Sequence, residues 1–69
     1  MITFQELNPG QRKAIGEYLA RTGVVVTDEV LKNIVNSGKV YGKIVGVNFQ
    51  IFNRKRLVGT LTPAGVSWL

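Results

Sequence analysis

The apolar residues of this chain change their period once, at Asn36-Ser37-Gly38. Before that point they recur at helical spacing, and after it they alternate. A stripe of period 3.6 can be buried only by a helix, and an alternating one only by a strand. The chain therefore reads as one domain, residues 1–69, with a helical half at 1–38, a basic β-hairpin half at 39–62 and a C-terminal tail or short helix at 63–69. The fold class that follows is α+β: two short helices, then an antiparallel β-hairpin or a three-stranded meander.

Within the helical half the start and stop signals are explicit. Thr3-Phe4-Gln5-Glu6 has capping-box spacing and predicts one short turn. Asn8-Pro9-Gly10-Gln11 predicts the main start, with Asn8 as cap, Pro9 in the first helical position and Gln11 reaching back. The helix runs from about Pro9 to Arg21, with Ala14, Ile15, Tyr18 and Leu19 on one face. Lys13, Glu17 and Arg21 fall at i, i+4 spacing on a solvated face. Gly23 supplies the C-terminal cap, and Val24-Val25-Val26 reads as a short strand or an extended link. Thr27 caps a second helix, whose first turn holds Asp28 and Glu29 and whose apolar face is Val30, Leu31, Ile34 and Val35.

In the β half, Tyr41, Lys43, Val45, Val47, Phe49 and Ile51 share one parity. The run Val45-Val47-Phe49-Ile51 predicts a half-buried strand, with Asn48 and Gln50 on its solvent side. Gly46 interrupts this run as a bulge or as a turn; a turn makes the region a meander. Asn53-Arg54-Lys55-Arg56 has hairpin length and Leu57 to Leu61 is the return strand, broken at Thr62-Pro63. Residues 63–69 form a short helix or an extended tail carrying Trp68. The order of elements resembles a reduced winged helix-turn-helix, without a separate recognition helix between Val35 and the hairpin.

Residue types exclude much chemistry. The chain has no cysteine and no histidine. It therefore offers no disulfide, no zinc site from the usual ligands, no thiol nucleophile and no imidazole base. The four carboxylates, Glu6, Glu17, Asp28 and Glu29, are accounted for by caps and helix faces. Gly38-Lys39-Val40-Tyr41-Gly42-Lys43 has one residue too few between its glycines for a phosphate loop, and Ile44 where a magnesium-binding hydroxyl belongs. The expectation is a protein that is not an enzyme and uses no cofactor. No apolar run is long enough to span a bilayer and Met1 to Leu7 does not read as a signal peptide, so the expected location is the cytoplasm, or the host cytoplasm for a viral chain.

The charge points to a partner. Net charge is +5. Residues 1–29 hold three cations and four carboxylates, for −1; residues 30–69 hold six cations and no carboxylate, for +6. A one-sided excess of this kind suits a polyanion. The expected function is that of a small basic nucleic-acid-binding regulatory or accessory protein, phage-like in its compactness, with DNA ahead of RNA. Lys39, Lys43, Asn53, Arg54, Lys55 and Arg56 are the expected nucleic-acid contacts. Asn48, Gln50, Phe52 and Trp68 are candidates for base or partner contacts, the amides by reading base edges and the aromatics by stacking. The alternative is a protein-interaction module, such as a phage-encoded inhibitor of a host protein or a small virion or assembly subunit, using an edge strand or the Trp68 tail. A homo-oligomer fits the small core of a 69-residue chain, whereas membrane binding is not expected.

Overall fold

The computed structural model describes residues 2–69. A 3-10 turn at Phe4–Glu6 leads into helix α1 (Pro9–Arg21) and helix α2 (Asp28–Ser37). Strands β1 (Val40–Val45), β2 (Asn48–Asn53), β3 (Arg56–Thr62) and β4 (Gly65–Trp68) follow as an antiparallel sheet in sequential order, β1-β2-β3-β4.

The caps form as their residue types dictate. Asn8 Oδ1 accepts from Gln11 N–H at 2.8 Å while Gln11 Oε1 accepts from Asn8 N–H at 2.9 Å. Thr27 Oγ1 accepts from Val30 N–H at 3.1 Å. At the end of α1, Gly23 takes a φ of +91°, and the N–H groups of Gly23 and Val24 donate back to Ala20 and Leu19, the Schellman arrangement. Residues 24–27 then connect the helices as an extended link without strand pairing. In the first turn, Glu6 Oε1 accepts from Thr3 N–H at 3.0 Å and from Thr3 Oγ1 at 2.9 Å. The backbone bond, followed by the hydroxyl, holds the Glu6 carboxyl below the ordinary carboxylate range. Arg12 donates twice to the Phe4 carbonyl and lies 4.1 Å from the Phe4 ring centroid, clamping this turn to α1.

Both helices pack on one face of the sheet. Ile15 of α1, Val35 of α2 and Ile51 of β2 are completely enclosed, with Leu7, Ala14, Leu19, Leu31, Val40, Phe49 and Val58 around them. Truncating Ile15 or Ile51 to alanine would destabilise the fold by about 2–5 kcal/mol, and truncating the smaller Val35 by less, since each joins a different element to the same cluster. Two glycines let aromatic rings lie flat on the helix-facing side. A Cβ at Gly42 would fall 1.8 Å from the Phe49 ring, and one at Gly59 would fall 2.4 Å from the Trp68 ring.

Of the two alternatives for Gly46 the turn is the one that forms, and two sequence expectations change. Gly46 is a turn residue, with φ +60°, in a two-residue connection that pairs Val45 with Asn48. This turn resets the parity. Phe49 and Ile51 stay on the core side, but Val45 and Val47 do not join them; Val47 is 83% exposed. The sheet has four strands rather than two or three, because the tail takes the extended form of the two expected and residues 65–68 pair with β3 as β4. Pro63 is confined to the β3–β4 turn, where its missing N–H breaks no ladder. There Thr62 Oγ1 accepts from Ala64 N–H and donates to the Gly65 carbonyl. The two helices and the sequential four-stranded meander make an α+β fold, and the β2–β3 ladder carries a register shift between Ile51 and Phe52.

Candidate nucleic-acid interface

Antiparallel order sorts the connections to two ends of the sheet. The β1–β2 and β3–β4 turns lie at one end. The β2–β3 turn, the entry to β1 and the exit of β4 lie at the other. That second end is basic. Arg54 and Lys55 form its two-residue turn, Arg56 opens β3 opposite Asn53, and Lys39 precedes β1. The Arg54 N–H donates to the Lys39 carbonyl at 2.9 Å, so these two residues are held side by side. All four cations are exposed. From residue 39 to the end the chain carries five cations and no carboxylate, so no acid of the sheet half offsets this field.

The turn itself is locally unfavourable. Arg54 and Lys55 have φ of +54° and +79°, the only positive values at non-glycine positions among the described residues. Two positive φ angles in a two-residue hairpin are the type I′ pattern, which ordinarily selects Asn-Gly. Left-handed backbone destabilises an ordinary L-residue by roughly 1–2 kcal/mol. Two long cations therefore occupy positions that turn chemistry alone would assign to other residues.

The face of the sheet turned away from the helices is read from the register. Along the β1–β2 ladder, Tyr41 stands opposite Phe52, Lys43 opposite Gln50 and Val45 opposite Asn48. The Tyr41 and Phe52 rings stack with centroids 5.4 Å apart and planes 12° from parallel. Neither ring belongs to the core cluster or packs against it. Leu57 pairs with Phe52 from β3, and Thr60 and Ser67 continue the Lys43–Gln50 row across β3 and β4.

The expected contact residues thus divide. Lys39, Arg54, Lys55 and Arg56 gather at the basic end, while Lys43, Asn48, Gln50 and Phe52 lie on the open face. Asn53 and Trp68, both partly exposed, also have partners within the fold. Asn53 Nδ2 donates to the Tyr18 hydroxyl at 2.9 Å, tying β2 to α1. Trp68 lies over Gly59 on the helix side, with the Tyr18 ring centroid at 5.9 Å and the Arg21 guanidinium carbon at 5.0 Å. An open groove of about 490 Å³ borders this packing, lined in part by Tyr18, Arg21, Arg56 and Trp68.

Tyr41, like Val45, is a residue of this face that strand parity alone groups with the core. A signal for its true place exists in the chain: a two-residue turn at Gly46-Val47 puts Tyr41 across from Phe52. No helix of the described residues is long and apolar enough to cross a membrane. No protein-family model, curated protein or solved structure matches this chain.

Proposed function

We propose that this protein is a nucleic-acid-binding regulatory or accessory protein that grips the phosphate backbone with the basic end of its sheet. It acts by binding rather than by catalysis. The observation that carries the reading is the β2–β3 turn, where Arg54 and Lys55 hold left-handed backbone that Asn-Gly would adopt with less strain. A turn selected only for folding has no need of these side chains. Lys39 beside Arg54 and Arg56 on the next strand make the same end a cluster of cations suited to counterion release. Phosphate contacts of this kind set affinity and register without specifying sequence.

The test is fluorescence anisotropy with labelled duplex and single-stranded oligonucleotides over a range of salt. Binding should weaken steeply as salt rises, with a slope of log affinity against log salt of roughly −3 to −4 for four phosphate contacts. Failure to bind either probe at low salt would exclude the reading.

One observation favours a second contact with protein. The opposite end of the sheet exposes Ile44 (60%), Val45 (44%) and Val47 (83%) around the β1–β2 turn. Apolar side chains grouped on a turn suit a partner's hydrophobic pocket. Recovery of a partner that survives nuclease treatment and is lost in Val47→Asp would support this contact; recovery unaffected by Val47→Asp would remove it.

A further inference from the structure

Three features follow in order along the β1–β2 hairpin, from the basic end onto the open face of the sheet. First come Lys39 and Arg54, held together by the 2.9 Å backbone hydrogen bond. The stacked pair Tyr41 and Phe52 comes next, one pleat along. Lys43 and Gln50 follow one pleat beyond that. Positions 41 and 43 of β1 and 50 and 52 of β2 lie on the open face by register, while Lys39, just before β1, and Arg54, in the β2–β3 turn, border that face at the basic end.

We infer that this face is a stacking platform for single-stranded nucleic acid, with a base received by the Tyr41–Phe52 pair and the flanking phosphates by Lys39 and Arg54 on one side and Lys43 on the other. The inference rests on the reading of the basic end given above and names the form of nucleic acid that the same region takes.

Four observations support it. The aromatic pair makes no contribution to the core: the buried cluster is complete on the helix side without it. The two rings are partly exposed on the open face, where they cover each other beside Leu57. Second, β1 is an edge strand, so no neighbouring strand lies beyond Tyr41 on that side of the sheet, whereas Phe52 is flanked on its other side by Leu57. The platform is consequently one-sided, with Tyr41 as its outer ring. Third, the surrounding charge is complementary to a polyanion, since no carboxylate side chain occurs anywhere from residue 39 onward. Fourth, one pleat advances roughly 6.8 Å, a stride that an extended single strand can match with one base on the rings and phosphates on the cations at either side.

A duplex does not fit this face in the same way. Its bases are stacked on one another, so it offers the rings only its backbone. Neither helix helps here, because both pack on the opposite side of the sheet and project nothing from the open face. The polar row Lys43, Gln50, Thr60 and Ser67 runs across the strands and gives hydrogen-bonding groups to whatever lies over the sheet. Stacking of this kind tolerates every base, and neither ring contact depends on the 2′-hydroxyl.

The experiment measures affinity of the full chain for oligothymidylate, oligouridylate and a mixed-sequence duplex by anisotropy at low salt. Tyr41→Ala and Phe52→Ala should each weaken both single strands by roughly tenfold and leave the duplex within about twofold. Tyr41→Leu and Phe52→Leu keep an apolar cover over the sheet, and should show the same selective loss while the thermal midpoint stays near that of the parent. In the unmodified protein, adding oligothymidylate should shift the Tyr41 and Phe52 ring proton signals upfield. Single-strand affinity unchanged in the leucine variants, or duplex affinity falling in parallel, would overturn the platform while leaving the basic end standing. Absence of salt-sensitive binding to all three probes by the parent protein would instead remove the reading on which the platform rests.

Discussion

Strand β2 is bounded by two turns of equal length and opposite chemistry. At one end, Val45-Gly46-Val47-Asn48 uses glycine at the first central position, where φ is +60° and a methyl group would meet nothing within 4 Å beyond its chain neighbours. This is the economical choice for a hairpin. At the other end, Asn53-Arg54-Lys55-Arg56 requires positive φ at both central positions and fills them with an arginine and a lysine. The first turn follows backbone rules and leaves its side chains to be apolar; the second overrides those rules and keeps cations. A local conflict with turn chemistry is a better pointer to function than charge alone, because solubility would be served by cations at unstrained sites.

Removing the charge of the second turn should have the largest effect. Arg54→Ala with Lys55→Ala should lower the salt slope of binding by about two and weaken nucleic-acid affinity more than tenfold at low salt, as read by anisotropy. A slope unchanged from the parent would make the turn cations bystanders. Arg54→Asn with Lys55→Gly separates strain from recognition. It should stabilise the protein by about 1–2 kcal/mol in urea unfolding while weakening binding as much as the double alanine variant. A stabilised protein that still binds normally would show that the strain serves nothing in recognition. Gly46→Ala is the mirror experiment at the first turn. It should destabilise by about 1 kcal/mol, from backbone strain without a clash, and leave affinity unchanged.

Asn53→Ala addresses a residue that borders the basic turn but is bonded to Tyr18. Its loss should lower stability by about 1 kcal/mol and leave the salt slope at the parent value. The smallest effect is expected far from both turns, at Glu6. Its folded-state carboxyl is held below the ordinary range by Thr3, so its contribution is fully present above the unfolded pKa and is lost as pH falls through the depressed value. Thermal midpoints followed from neutral to acid pH should decline in the parent, and the part of that decline due to this group should be absent in Glu6→Gln.

Much of the helical half is legible in the sequence because its signals are local. Asn8, Pro9, Gln11, Gly23, Thr27 and Gly38 act on their own or adjacent turns, and each does in the structure what its type implies. The sheet half is legible in period but not in register. Alternation shows that strands are present, yet it carries through Gly46 as readily as it stops there, and a single misplaced turn reassigns every facing residue. Unbroken alternation therefore groups Tyr41 with the core, buries Val45 and Val47 beside it, and gives no sign of the Tyr41–Phe52 stack. Trp68 is the converse: its role depends on Gly59, nine residues earlier, leaving room for the ring, and on α1 lying above it.

Residue types acting over a few neighbours are enough to make this chain α+β, to set where its helices begin and end, to load its excess charge into the second half and to join two strands by a cationic turn. They do not say which end of the sheet is basic and which apolar, that Asn53 and Trp68 are engaged with α1, or that an aromatic pair stands between cations on an open face. Those features come from strand order and pairing, which bring together residues far apart in the chain and are set by packing of the whole sheet against its helices.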